Sequence, residues 1–214
     1  MSARYRGFIF THALWMAAWA GGMVTAQAAD LRAGQKIAET VCAACHGKDG
    51  NGTAPVNPKL AGQHAGYLLK QMKDFTTDKS GQVKRSDPVM NGMMITNYSE
   101  QQLQDVAAWY ASLEQKGAMA RNLNTLRQGE KIYRAGIAAS GVPACAACHG
   151  PNGKGIPPQY PRISGQYAEY LEKQMFAFRE GSRSNDHNSI MRDIAAKMTD
   201  EEIKAVVNYV AGLR

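Results

Sequence analysis

The sequence predicts an all-α protein built as two tandem helical domains, and three observations carry that prediction. Residues 42–75 recur at 145–178 with a constant offset of 103 and no gap, 19 of the 34 positions being identical. The flanks recur too: "LRAGQKI" at Leu31 answers "LRQGEKI" at Leu126, and "SEQQLQDVAAWYASL" at Ser99 answers "TDEEIKAVVNYVAGL" at Thr199. Apolar residues in the closing segments are spaced by three and four, the helical period, while strand signals are weak throughout. With 214 residues shared between two copies, each domain lies near the size where a hydrophobic core alone is marginal and a staple is needed.

Residues 1–28 read as an export signal. Arg4 and Arg6 precede the mostly apolar "GFIFTHALWMAAWAGGMV", and Ala26-Gln27-Ala28 has the small-x-small pattern that signal peptidase cuts. An uncleaved membrane anchor is the alternative, against which Thr11, His12, Gly21 and Gly22 interrupt the run. The mature chain is expected to begin near Ala29, with a first domain over 29–113, a linker over 114–124 and a second domain over 125–214. An opening helix should follow Asp30 in the first copy, and Thr125 with Gln128 three residues on in the second, both N-cap patterns. A middle helix follows in "AGQHAGYLLKQMKDF" and "SGQYAEYLEKQMFAF". The closing helix starts at Ser99 with Gln102 and at Thr199 with Glu202, which are capping boxes. Gly34 and Gly129 are placed to let the opening helix cross the closing one near Trp109 and Tyr209. "EQKGAMARNLN" lacks apolar periodicity and reads as linker; "AASGVPA", extra in the second copy, reads as loop.

A composition of 44% hydrophobic and 20% charged residues argues against disorder and against a multi-spanning membrane protein. The formal charge of +7 becomes +5 once Arg4 and Arg6 leave with the signal. Residues 29–120 carry ten basic and nine acidic side chains and residues 121–214 thirteen and nine, so the second half is the more basic. That asymmetry can steer docking to an acidic partner or a membrane surface, or simply keep the face solvated. Basic residues are not gathered on one element and no nucleic-acid module is recognisable, so nucleic acid is not an expected partner.

All four cysteines lie in two copies of "CAACHG". In an exported chain they would ordinarily pair as disulfides, and a bare Cys-x-x-Cys also fits a thioredoxin-like redox pair or half a zinc site. Thioredoxin needs a βαβ context, which is missing, and zinc would need the cysteine pairs of two separate repeats to converge. A histidine directly after the second cysteine fits c-type haem attachment. Two thiols one helical turn apart can each add to a vinyl group along one porphyrin edge, and the next imidazole then falls under the iron. Cys42, Cys45 and His46 would hold one haem; Cys145, Cys148 and His149 would hold the other. Two covalently bound haem c groups would also supply the missing staple.

The opposite axial ligand is sought between the middle and closing helices. Met90 lies nine residues before Ser99 and Met191 eight before Thr199, each after a β-branched residue, so these two are the expected ligands. Met93 and Met94 rival Met90 in the first copy, and Met198 is expected in the core. Histidine with methionine raises the haem potential and fills both axial positions, which points to electron transfer rather than substrate chemistry. Pro58 and Pro161 each lie twelve residues after the motif histidine, suited to offering a carbonyl to Nδ1 or simply to shaping a loop. Tyr67 and Tyr170 read equally as core aromatics or as propionate partners, and His64 and His187 as non-ligands.

With these residues in place, the chain resembles the cytochrome c4 family of exported two-haem electron carriers. The resemblance spans nearly all of the mature sequence: both "CAACHG" motifs, "PKLAGQ" and "PRISGQ", "YLLKQM" and "YLEKQM", "FREGSRSND", and "IMRDIAAKMTDEEIKAVVNYVAGL". It implies two tandem cytochrome c-like domains, each wrapped around one covalently bound haem, with propionates meeting across their interface. It also implies a periplasmic carrier that passes electrons from a cytochrome bc complex to a terminal oxidase, sometimes while associated with the membrane. Met90 and Met191 match the family's ligand positions. Competing expectations are a two-haem peroxidase-like enzyme, which would need a displaceable axial ligand, and a fixed electron-transfer subunit of an oxidase or dehydrogenase complex.

Overall fold

The computed structural model describes residues 28–94 and 98–214, so the expected export signal lies outside the described residues apart from Ala28. Among the described residues the regular structure is helical, with isolated bridges at Ile137–Val142 and Ile156–Tyr160 as the sole strand-like pairings.

The first half opens with α1 (Leu31–Ile37), capped by Asp30, whose carboxylate accepts from the N–H groups of Arg32 (2.8 Å) and Ala33 (3.1 Å). A π turn at Ala38–Cys42 carries the helix on into α2 (Ala43–His46), so one continuous run delivers the cysteine motif. The second half reaches the same place differently. There α6 (Leu126–Ala135) stops, and a loop closed by reciprocal Ile137–Val142 hydrogen bonds (2.8 and 3.1 Å) intervenes before α7 (Ala146–His149). Both motif helices end at a glycine with positive φ, Gly47 (76°) and Gly150 (77°), a conformation that a Cβ would strain.

The middle helices are α3 (Ala65–Phe75) and α8 (Ala168–Arg179), and the closing helices α5 (Glu100–Ser112) and α10 (Asp200–Gly212). Short helices α4 (Pro88–Met94) and α9 (Ile190–Ala195) come between them. Both expected capping boxes form: Ser99 with Gln102, and Thr199 with Glu202, each exchanging two hydrogen bonds of 2.8 and 3.2 Å. The opening helix packs on the closing helix in each half, and the crossing point is a glycine. A Cβ on Gly34 would lie 2.1 Å from the Asp105 carbonyl oxygen, and one on Gly129 2.2 Å from that of Ala205. That intimacy builds the cores, with Ala38, Leu68, Val106, Ala107 and Tyr110 in the first half and Ile132, Tyr133, Ile203, Val206 and Val210 in the second. Met198 joins the second core, as expected.

Thr125 does not act as the expected cap. Its side chain accepts no bond from the helix; its hydroxyl donates to the Asn122 carbonyl (3.2 Å) and accepts from the Asn208 amide (3.1 Å). Buried Asn208 also bonds the Arg121 and Asn122 N–H groups and the Asn122 carbonyl, folding 123–125 into a 3-10 turn that enters α6. A tertiary contact from the closing helix thus overrides the local pattern.

Candidate functional site

In each half the motif places two free thiols and a buried imidazole on one short helix. Cys45 is exposed, and Cys42, Cys145 and Cys148 are half-buried. Burial pushes the Cys42 thiol up, opposed by the Tyr110 hydroxyl, and pushes Cys145 up to about 11. These two are protonated, neutral thiols rather than thiolates poised for metal or disulfide exchange. Among the described residues no three His, Cys, Asp or Glu side chains converge on a common point, so the two cysteine pairs do not assemble into a zinc site.

His46 and His149 are both buried, at 7% and 8% exposure, and burial holds each below the usual imidazole pKa, so both rings are neutral. Each Nδ1 lies 2.9 Å from a carbonyl oxygen, Pro58 for His46 and Pro161 for His149. A carbonyl can only accept, which fixes the proton on Nδ1 and leaves Nε2 with its lone pair free for a metal. The spacing of twelve thus resolves in favour of the carbonyl role for both prolines.

The methionines sort by environment. Met94 is buried with Phe75 and Leu103, Met93 is 39% exposed, and Met90 is half-buried against that same cluster. Asp87 accepts from the N–H groups of Val89 and Met90 (3.2 Å each), fixing the start of α4. Met191, half-buried on α9, follows two non-glycine residues with positive φ, Asn188 (49°) and Ser189 (59°), a strained approach to that helix. His187 is exposed; His64 is half-buried.

Between the halves lies a polar network the sequence did not announce. Arg85 donates to Gln71 (2.6 Å) on its own side and to Gln174 (2.8 Å) and the Tyr170 hydroxyl (3.1 Å) on the other. Arg183 mirrors it, donating to Gln174 (2.7 Å), then across to Gln71 (3.2 Å) and the Tyr67 hydroxyl (3.1 Å). Tyr67 and Tyr170 are therefore interface residues. Burial raises the Tyr170 hydroxyl but the two arginines outweigh it and hold its pKa below the usual value. Arg85 and Arg183 are each 8% exposed, and their side-chain partners are neutral amides and hydroxyls, Asn185 included. The nearby carboxylate of Asp74 bonds Asn185 and Lys70 instead. Two buried cations without a bonded carboxylate suit a cofactor that brings anionic groups of its own. The paired cysteines, a free Nε2 in each half and this cationic joint therefore all fit haem, whose two propionates are such groups.

What this arrangement defines is a c-type cytochrome with two haems. The sequence model of the family described as Cytochrome c matches residues 31–114 and 126–214, one match per half. Cytochrome c4 of Azotobacter vinelandii is 48% identical over 191 residues, covering 87% of this chain and 90% of that protein. The thiosulfate dehydrogenase electron acceptor of Stutzerimonas stutzeri is 38% identical over 199 residues, covering 88% of each. Among solved structures, reduced recombinant cytochrome c4 from Pseudomonas stutzeri superposes with a TM-score of 0.81 at 42% identity, over 87% of this chain and all of that one. The chain belongs to the cytochrome c4 family, two tandem cytochrome c domains that carry electrons on two covalently bound haem c groups and are not an enzyme. Bound haem supplies a one-electron iron couple; the protein supplies its attachment, axial donors and surrounding charge.

Proposed function

We propose that the protein is a periplasmic shuttle that takes electrons from a respiratory donor such as a cytochrome bc complex and passes them to a terminal oxidase or other acceptor. In this reading residues 1–28 direct export, domains over 29–113 and 125–214 flank a linker at 114–124, and redox proteins are the partners. Cys42 and Cys45 tether the first haem, and Cys145 and Cys148 the second. His46 with Met90, and His149 with Met191, fill the axial positions. The observation that carries the assignment is the identical 2.9 Å bond from Nδ1 to a proline carbonyl in both halves, which orients Nε2 for a metal. The burial of Met94 in a core cluster and the exposure of Met93 favour Met90 over both rivals. No helix among the described residues is long and apolar enough to cross a membrane; peripheral attachment to a lipid surface is compatible with the basic second half.

The test is the exported, matured protein. A reduced alkaline pyridine spectrum with iron quantitation should give two haems per chain, and both ferric haems should show the thioether-to-iron charge-transfer band. One haem, or a spectrum shifted by modest cyanide, would overturn the reading. The 38% identity to an electron acceptor of thiosulfate dehydrogenase supports a second donor, and reduction kinetics with each purified donor separate the two.

A further inference from the structure

The peptide group that fixes each motif histidine is also gripped by a glutamine from the other half. His46 Nδ1–H donates to the Pro58 carbonyl at 2.9 Å. The opposite end of that same peptide group, the Lys59 N–H, donates to Gln166 Oε1 at 2.9 Å, and Gln166 Nε2 donates back to the Lys59 carbonyl at 2.9 Å. The second half repeats the arrangement. His149 Nδ1–H donates to the Pro161 carbonyl at 2.9 Å, the Arg162 N–H to Gln63 Oε1 at 2.9 Å, and Gln63 Nε2 to the Arg162 carbonyl at 2.8 Å. Gln63 and Gln166 are 8% and 4% exposed and occupy equivalent places in the repeat. Each Oε1 also accepts its own chain's next N–H, from His64 and Tyr167, at 3.0 Å, so neither amide is free to turn.

Hydrogen bonds in series polarise one another, by about 10–30% per bond, and the effect is strongest away from water. An amide whose N–H is engaged has a more negative carbonyl oxygen. That oxygen draws harder on Nδ1–H and raises the electron density at Nε2, the position through which an axial histidine donates. A stronger donor favours ferric iron and lowers the potential.

We infer that Gln63 and Gln166 are crossed positioning residues: Gln166 sets the donor strength of His46 and Gln63 that of His149, so each domain tunes the haem of the other. The inference rests on His46 and His149 being the iron ligands. No proton or electron travels along the path; only the strength of the bonds changes. By linkage, the oxidation state of one iron must also bias the grip of the opposite glutamine.

The test uses the full-length holoprotein with Gln166→Met and Gln63→Met, which keep length and remove the amide. Spectroelectrochemical titration is paired with NMR of the Nδ1 proton of each axial histidine. Gln166→Met should raise the potential of the haem on Cys42 and Cys45, with a change of about threefold in its reduction equilibrium, about 28 mV for a one-electron couple. The His46 Nδ1 proton should move upfield while that of His149 stays. Gln63→Met should do the converse. A shift confined to the haem of the mutated domain, equal shifts in both haems, or no shift in either would each overturn the inference. Failure of the ligand assignment reads differently: His46→Ala or His149→Ala would then leave the iron spectrum of its own haem unchanged.

Discussion

The contact between opening and closing helices gives a prediction that can be worked through. In Gly129→Ala the new Cβ would lie 2.2 Å from the Ala205 carbonyl oxygen and 2.7 Å from Tyr209 Cβ. Ordinary contact begins near 3.4 Å, so α6 must retreat from α10 by about 1.2 Å where the two helices cross. Overpacking of this kind costs about 1–3 kcal/mol, and the obstacle is rigid backbone, which places it toward the upper end. Alanine returns about 0.5–1 kcal/mol of helix propensity, leaving a net loss of about 2 kcal/mol. For a domain of this size each kcal/mol moves the midpoint by about 4–8 °C, so the second domain should melt roughly 8–16 °C lower. Far-ultraviolet circular dichroism of the holoprotein on heating, read beside its Soret band, measures this. Gly92→Ala is the control: it lies in α4 with nothing within 4 Å of the new Cβ, and should leave the midpoint unchanged or slightly raised. A Gly129→Ala midpoint within about 2 °C of the parent, with the control behaving, would refute the packing argument.

Met191→His should retain the covalent haem but lower that site's potential, because a thioether favours ferrous iron more than an imidazole does; an unchanged redox titration would show that Met191 is not a ligand. Arg85→Gln removes a buried positive charge shared by both halves, which should lower both potentials, on the order of tenfold in equilibrium or about 59 mV, while Arg85→Lys retains part of the effect. Thr199→Ala removes one half of a capping box and should cost about 1 kcal/mol of holoprotein stability, read by urea unfolding.

Wherever the repeat itself spoke, the sequence was legible. The paired motifs, the capping boxes at Ser99 and Thr199, the glycines at the crossings and the prolines twelve residues past each histidine all appear twice, and duplication separated them from chance. Contacts between the copies left a fainter mark. Gln63 and Gln166 close "PKLAGQ" and "PRISGQ", but nothing local says that a glutamine there will pair with backbone about a hundred residues away. Arg85 and Arg183 were harder still, because they are 98 positions apart where the aligned stretch keeps 103, so the repeat does not bring them into register. At Thr125 the pattern was present and misleading, since Asn208 from the far end of the chain claims the hydroxyl that a cap would use.

The two routes into the cysteine motif have unequal tolerance for change. In the first half the chain from Leu31 to His46 is one rod, and a residue added within it would turn everything beyond by about 100° unless a wider turn absorbed it. The π turn at Ala38–Cys42 is already such an accommodation. In the second half, slack between Gly136 and Ala144 isolates the motif from the phase of the preceding helix. Of the two copies, the second can lengthen at this point without misaiming its imidazole and without a widened turn, and its sequence is the longer one there.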